Sequence, residues 1–253
     1  MKKKFSIIPV IITIFSLVIL GTIFTFYFSF KGNPITKVIT ASKAKDYVES
    51  KWPGEEFTVS RAVYNFKFKE YVCRVQSLSS EDTAFKVYRS QKGELRDSYK
   101  EDVMERGSTI FRFERELRNY GEQILLPDFS RRARLFGCSF YDDKEYDYRK
   151  FQLDMEFDPS KLPVTAVLTI WTETKDQEPT WEDMAEVLKE AVYITENNKI
   201  DIEYYSVNLE FPYESDEKGE PVPVRYDSEI SVENVPKEVI KGDDLIEHLK
   251  SYR

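Results

Sequence analysis

The chain begins with a long apolar segment. Residues 5–30 carry no charge over 26 positions, and three lysines precede them. As a helix this segment would extend about 39 Å, which exceeds the hydrocarbon thickness of about 30 Å. Cleaved secretory signals have shorter apolar regions and small residues at the cleavage site, whereas this segment ends in bulky aromatic residues. The pattern therefore favours one uncleaved, tilted membrane span over a cleaved signal.

Basic residues are distributed unequally around this segment. Lys2, Lys3 and Lys4 lie before it with the amino terminus, whereas only Lys31 and Lys37 follow closely. Because lysine-rich flanks remain in the cytoplasm, we expect a single-pass protein of the cell membrane with a cytoplasmic N-terminus and extracellular C-terminal domains. The membrane is thus the first partner that the sequence predicts.

The pattern after the segment predicts a helix followed by a small sheet. Apolar residues at 35–52 follow a helical repeat, which Pro53 and Gly54 end. Aromatic and β-branched runs then predict strands at residues 57–68, 71–78 and 83–89, with a weaker one around Leu95. We expect an antiparallel meander with the helix packed across one face.

Residues 97–126 return to helical spacing. Val103, Ile110, Leu117 and Ile124 lie seven residues apart, which resembles a coiled-coil seam. The simpler interpretation is a long amphipathic helix that covers the sheet or bridges two domains, with a possible break at residues 107–109. We favour this interpretation because aromatic and basic residues interrupt the seam.

A second module is predicted from Pro127. Its expected strands are 135–141, 151–157, 164–174, 200–211 and 222–232, with a helix from Trp181 to about Asn197 and an acidic loop at 214–220. The fold class is therefore α+β: an N-terminal transmembrane helix followed by two related, small helix-on-antiparallel-sheet domains. The predicted divisions are residues 1–31 (cytoplasmic stub and anchor), 32–127 and 128–253.

Composition narrows the functional classes. The net charge is −8, and without the four lysines at 2, 3, 4 and 31 the remaining 33 basic residues oppose 45 acidic ones. Nucleic-acid binding is not expected, because it needs clustered Lys and Arg. The nine glycines lie at least eleven residues apart, so no glycine loop for a phosphate or dinucleotide cofactor is expected.

Candidate catalytic and metal-binding residues have simpler explanations. Residues 143–154 alternate carboxylates as a calcium loop does, but Tyr148 stands at the position of the turn glycine and Asp154 at that of the usual glutamate. His248, the single histidine, is expected on the surface of a short C-terminal helix, without a positioned nucleophile. We therefore predict no catalytic, cofactor-binding or metal-binding residues and no cofactor.

The acidic pairs and the aromatic residues of the first sheet also have structural interpretations. Pairs at 55–56, 142–143 and 243–244 are expected in loops or at a helix start. The aromatic residues could form a sugar- or peptide-binding platform, but we expect them in the core; they are Tyr64, Phe66, Phe68, Tyr71, Phe85 and Tyr88. Cys73 and Cys138 are expected to be two buried free thiols in separate modules rather than an interdomain disulfide.

Four segments resemble a known family. They are Phe30-Lys31-Gly32-Asn33-Pro34, Tyr47-Val48-Glu49, Val63-Tyr64-Asn65-Phe66-Lys67 and Asp82-Thr83-Ala84-Phe85-Lys86-Val87-Tyr88. The sequence resembles the YfjL-like family of small membrane-anchored proteins, most clearly over residues 30–100. The resemblance implies a bacterial, Gram-positive cell-surface protein of unestablished function, and it supplies no functional residues.

The sequence therefore predicts a membrane-anchored extracytoplasmic binding or interaction protein without catalytic activity, whose partner is an unknown protein, peptide or envelope component. The alternative is a regulatory or inhibitory module that acts on a membrane or envelope protein. A carboxylate-dependent enzyme is the third class, and it would need two carboxylates converging in one pocket.

Overall fold

The computed structural model describes residues 8–130, 133–140, 148–174, 178–210 and 229–251. The chain forms two compact units, Met1–Ser108 and Thr109–Arg253. Each unit combines helices with one β-sheet, which confirms the α+β fold class. The predicted calcium-like loop at 143–147, the pair at 142–143 and the acidic loop at 214–220 lie outside the described residues.

The first helix, α1 (Ile8–Lys31), corresponds to the apolar segment. Its residues from Ile11 to Lys31 are exposed around the whole helix. By length and composition α1 could cross a membrane, and a signal sequence would meet the same criteria.

The second helix, α2 (Pro34–Lys51), begins at a capped N-terminus. The Asn33 side-chain oxygen accepts hydrogen bonds from the Ile35 N–H at 2.8 Å and the Thr36 N–H at 3.4 Å, while Pro34 occupies the first helical position, where no backbone donor is needed. The predicted helix at 35–52 is therefore confirmed. Its buried face places Ala44 and Val48 against the first sheet.

The first sheet is an antiparallel meander, as predicted. Its strands are β1 (Phe57–Val59), β2 (Val63–Asn65), β3 (Glu70–Ser77), β4 (Ala84–Arg89) and β5 (Leu95–Asp97). β1 and β2 both pair with β3, and β4 and β5 follow in order. The predicted strand at 57–68 is thus interrupted: Ser60 bonds to both the N–H and the C=O of Arg74, and the chain turns at residues 66–69.

Residues 97–126 are largely helical, as predicted, but they do not form one continuous helix, and the break lies directly before the possible break at residues 107–109. A π-helical turn (Lys100–Met104) precedes α3 (Gly107–Tyr120), and a second π-helical turn (Gly121–Leu125) and a 3-10 turn (Leu126–Asp128) follow it. The break falls at Arg106, whose φ of 64° is left-handed and incompatible with a continuous helix. Ile110, Phe113 and Leu117 of α3 are buried in the core of the second unit. The unit boundary therefore lies before the predicted domain boundary at 127/128.

The second sheet has the order β6-β7-β8-β9. Its strands are β6 (Ala133–Phe140), β7 (Ala166–Glu173), β8 (Tyr204–Glu210) and β9 (Ile230–Pro236). β7 and β8 run parallel, which differs from the antiparallel pattern expected for this sheet. The connection between these strands contains α4 (Trp181–Asn197), which returns the chain to the end of the sheet at which β7 begins, so that β8 runs parallel to β7. The two sheets therefore differ in topology. The expectation that both domains share an antiparallel sheet is wrong for the second sheet.

The predicted helix at 181–197 is confirmed. The Thr180 hydroxyl oxygen accepts a hydrogen bond from the Asp183 N–H at 3.0 Å, which caps the first turn of α4. Met184, Leu188 and Ala191 on one face of α4 are fully buried against the sheet.

The predicted strand at 151–157 is absent from the described residues of this segment. A 3-10 turn (Tyr148–Lys150) leads into an irregular segment in which Asp154 has a left-handed φ of 56°. Phe151 and Phe157 instead anchor the segment through edge contacts with Phe113, at centroid distances of 5.5 Å. Two short helices, α5 (Lys237–Ile240) and α6 (Leu245–Leu249), complete the second unit.

Candidate functional site

The second sheet has two unlike faces. Along β7, Ala166, Leu168 and Ile170 are buried in the core with α4, whereas Thr169 and Trp171 point to the opposite side. We call this second side the open face. The open face contains a cleft of about 370 Å³. Among the residues that line it are Ser139, Thr169, Trp171, Ser206, Asn208 and Ser231.

Strand register places these side chains in rows. Trp171 pairs with Asn208 across β7 and β8, and Asn208 pairs with Ser231 across β8 and β9. Adjacent strands lie about 4.8 Å apart, so an indole, an amide and a hydroxyl follow one another over about 10 Å. Thr169 and Ser206 form the next row. Trp171 retains 39% of its accessible surface, which leaves its ring available for contact.

A β-bulge bends the sheet beside the cleft. The pairing of β8 and β9 shifts between Tyr205 and Val207, and Asn234 on β9 adopts a left-handed φ of 53°. The Ser206 hydroxyl accepts a hydrogen bond from the Asn234 N–H at 3.0 Å and so stabilises this bend. Bulges increase local twist and redirect side chains, so the sheet twists more strongly beside the cleft.

Asn208 is the polar centre of the open face. Its side-chain amide donates to a Glu229 carboxylate oxygen at 3.4 Å. Its side-chain oxygen is buried and has no hydrogen-bond partner among the described residues. A buried acceptor without a partner costs about 1–3 kcal/mol, so the position favours a donor supplied from outside the chain.

The lining of the open face suits recognition. Serine and threonine hydroxyls, an amide and one indole offer hydrogen bonds and a stacking surface, and the carboxylate among the lining residues is Glu233. Neutral polar groups around an aromatic ring bind hydroxyl- or amide-rich ligands, whereas acid–base catalysis needs titratable groups in contact with the reacting atoms.

A second depression contains the only histidine. Glu238, Asp243, Asp244 and His248 line a space of about 290 Å³. His248 is exposed, as predicted, and its Nδ1 lies 3.1 Å from the Asp244 carbonyl oxygen. No group of three or more His, Cys, Asp or Glu side chains arranged to hold a metal ion occurs in the described part of the chain.

The first unit contains a polar cluster at the end of α2. The Asp97 carboxylate accepts hydrogen bonds from the Tyr47 hydroxyl and the Lys51 ammonium, both at 2.5 Å, and from the Tyr99 N–H at 3.0 Å. Burial opposes ionisation of Asp97, but these donors outweigh it and lower its pKa. The hydrogen bond to Asp97 raises the pKa of Lys51. Trp52 packs against Tyr99 beside the cluster, with the two ring centroids 4.6 Å apart. We therefore interpret the polar cluster as a structural link between α2 and β5.

The aromatic residues of the first sheet divide into two groups. Tyr71 and Phe85 are buried, which confirms the core interpretation for them, and Tyr64 and Tyr88 are half-buried. The core interpretation is wrong for Phe66 and Phe68, which are 57% and 65% exposed. They lie in the β2–β3 turn rather than in a strand, so the alternation that places side chains in the core does not apply to them.

Cys73 and Cys138 are both buried and free, and each lies on the apolar face of its strand, as predicted. Burial raises the pKa of both thiols, that of Cys138 to about 12, which disfavours the thiolate form that reacts as a nucleophile. The acidic pairs at 55–56 and 243–244 are exposed, as predicted.

Two family models match most of the chain. The model of the YfjL-like N-terminal domain matches residues 2–102, and that of the YfjL-like C-terminal domain matches residues 119–250. No curated protein and no solved structure matches. The chain belongs to the YfjL-like family, whose function is not known.

Proposed function

We propose that this YfjL-like protein is a non-catalytic, single-pass membrane protein that displays both units outside the cell and binds an envelope or protein partner on the open face of its second sheet. The observation that carries the proposal is the row of Trp171, Asn208 and Ser231 that lines the cleft.

The anchor part of the proposal is supported by the length of α1 and by its flanks. The uncharged run is longer than a bilayer requires, its residues from Ile11 to Phe30 are exposed, and three lysines precede it. These features favour an uncleaved span with its N-terminus in the cytoplasm.

The binding part is supported by the unpartnered Asn208 oxygen beside the exposed indole. A buried polar atom without a partner in the chain is normally satisfied by a ligand, an ion or a water molecule. A ligand donor at Asn208, together with stacking on Trp171, would satisfy both groups at once, which favours a hydroxyl- or amide-rich partner such as a glycan or an extended peptide.

An alternative is a regulatory or inhibitory module. In the part of the chain that the structure describes, the seven-residue strand β9 is the last strand of the second sheet and borders the open face. An edge strand can accept a strand from a partner, which would suit a peptide segment of a membrane or envelope protein.

Site-specific photo-cross-linking in intact cells tests the proposal. A photoreactive phenylalanine analogue replaces Trp171 in one variant and Tyr193 in its control, since Tyr193 is also aromatic and is 66% exposed on α4. We expect a discrete adduct from position 171 and none from position 193. Equal cross-linking at both positions, or none at 171, would overturn the assignment.

A stability measurement separates binding from folding. In the position-171 variant, Asn208→Ala should weaken the adduct while leaving thermal stability unchanged or higher, because it removes an unpartnered buried oxygen. A loss of stability equal to that of a core substitution would mean that Asn208 serves the fold instead.

A further inference from the structure

The β2–β3 hairpin, residues 63–72, exposes three large apolar side chains. Val63 is 67%, Phe66 57% and Phe68 65% exposed. Phe66 and Phe68 lie at the tip of the hairpin, and Val63 lies at the start of β2. Clustered exposed apolar side chains of this kind mark interaction sites rather than ordinary protein surface. We call residues 63–72 the aromatic hairpin.

The tip of the aromatic hairpin is held in one conformation. The Asn65 side-chain oxygen accepts hydrogen bonds from the Lys67 N–H at 3.2 Å and the Phe68 N–H at 3.4 Å. Lys69 adopts a left-handed φ of 55°, which returns the chain into β3. Phe66 and Phe68 are therefore presented by a defined turn rather than by a loose loop.

The aromatic hairpin packs against the end of α1 and the two residues that follow it. The rings of Phe30 and Phe66 lie 5.6 Å apart. Gly32, at φ 71°, packs so closely on Tyr64 that an added Cβ would lie 2.5 Å from the Tyr64 Cβ. The Asn33 N–H donates to the Tyr71 hydroxyl at 2.9 Å. If α1 spans a bilayer, these contacts place Phe66 at nearly the same depth as Phe30.

Apolar and basic residues gather at this end of the first unit. The first turns of α2 expose Ile35 and Val38. Lys67 and Lys69 flank Phe68 at the tip, and Lys67 lies over the Phe68 ring at 5.6 Å. Phenylalanine rings that enter the boundary between headgroups and acyl chains, with lysines that reach lipid phosphates, are typical of interfacial membrane contacts. These lysines contrast with the acidic average of the chain.

We propose that the aromatic hairpin inserts Phe66 and Phe68 into the outer interface of an anionic bilayer, as a second membrane contact beside the span. The inference rests on the proposed function in that α1 must be a membrane anchor with the first unit on the outer side of the membrane. The contact would fix the first unit against the membrane surface instead of leaving it to swing on a single helix.

The test uses the full chain in vesicles of phosphatidylglycerol and phosphatidylcholine. The variant Phe68→Cys is labelled with an environment-sensitive fluorophore under native conditions. Cys73 and Cys138 are buried, so the unsubstituted chain is the background control. Leu78→Cys is the matched control, because Leu78 is apolar and 63% exposed but lies beyond the opposite end of β3, about 27 Å from Glu70 along the strand.

We expect blue-shifted emission from position 68, quenching by headgroup-attached nitroxide lipids, and neither effect at position 78. In the labelled variant, Lys67→Glu should reduce quenching on anionic vesicles and leave it unchanged on phosphatidylcholine alone. Equal behaviour at positions 68 and 78 would overturn the insertion, and a protein partner would then be the better occupant of the hairpin.

A third label distinguishes the two levels of the proposal. Phe15→Cys lies within α1 and should be quenched by nitroxides in the acyl chains. Quenching at position 15 without quenching at position 68 refutes only the hairpin contact. No quenching at either position refutes the anchor, and the proposed function with it.

Discussion

A buried hydroxyl pair in the second unit allows a sharp prediction. Tyr205 is fully buried, and its hydroxyl lies 2.6 Å from the Thr195 hydroxyl. The Thr195 oxygen also lies 3.0 Å from the carbonyl oxygens of Ala191 and Val192. Because Thr195 has one hydroxyl hydrogen and directs it to these carbonyls, Tyr205 donates to Thr195.

The two single substitutions should therefore differ in cost. Tyr205→Phe removes one hydrogen bond but leaves the Thr195 hydroxyl satisfied by the helix, which costs about 1 kcal/mol. Thr195→Val leaves the Tyr205 hydroxyl buried without its partner, which costs about 2 kcal/mol. The double variant removes both groups and should cost about 1 kcal/mol, well below the sum of the single effects.

Hydrogen exchange of the β8 amides in the full chain measures these differences. A cost of about 2 kcal/mol corresponds to exchange about 30-fold faster, and about 1 kcal/mol to about 5-fold. Thr195→Val should therefore be the fastest of the three variants. Additive effects in the double variant, or equal rates for both single variants, would refute the assigned donor direction.

Three further predictions follow from the described contacts. Asp97 has a lowered pKa, so the stability that its carboxylate contributes is present above its ordinary pKa of about 3.9 and is lost as the pH falls through the pKa of the folded state. Asp97→Asn should cost about 2 kcal/mol of stability at pH 7 and should abolish this acid-dependent loss. Hydrogen exchange of the β5 amides, at pH 7 and between pH 5 and 2, measures both effects. Gly32→Ala should accelerate exchange in the aromatic hairpin, whereas Gly21→Ala, where an added Cβ meets no atom within 4 Å, should not. Alkylation at neutral pH should modify neither Cys73 nor Cys138 before unfolding and both after it, as measured by mass spectrometry. Unchanged exchange in Gly32→Ala would contradict the close packing of Gly32 on Tyr64, and alkylation of the folded protein would contradict the burial of the thiols.

Local signals in the sequence account for much of the fold. The helical repeat at 35–52 and the capping pattern of Thr180 before Trp181 predict helices that the structure confirms, because periodicity and capping need only neighbouring residues. The Asn33 cap of α2 was not predicted. The alternation in β3 and β4 likewise fixes which side chains are buried.

The errors arise where tertiary contacts decide the structure. The segment with Phe151 has strand-like residues, yet ring contacts with Phe113 hold it in an irregular path that no local pattern encodes. Phe66 and Phe68 continue the alternation of β2, but the Asn65 turn removes them from the sheet. The open face depends on strand order and on the bulge at Asn234, so Trp171 could be placed on a strand but not beside Asn208.

The central claim is that an uncleaved membrane span holds both units outside the cell. Protease added to the outside of intact cells that express the chain tests this claim most directly. We expect a full-length protein in the membrane fraction, from which protease removes the residues after about Lys31 and spares the apolar segment. A chain that resists digestion until the cells are lysed, or one released into the medium without residues 5–30, would contradict it.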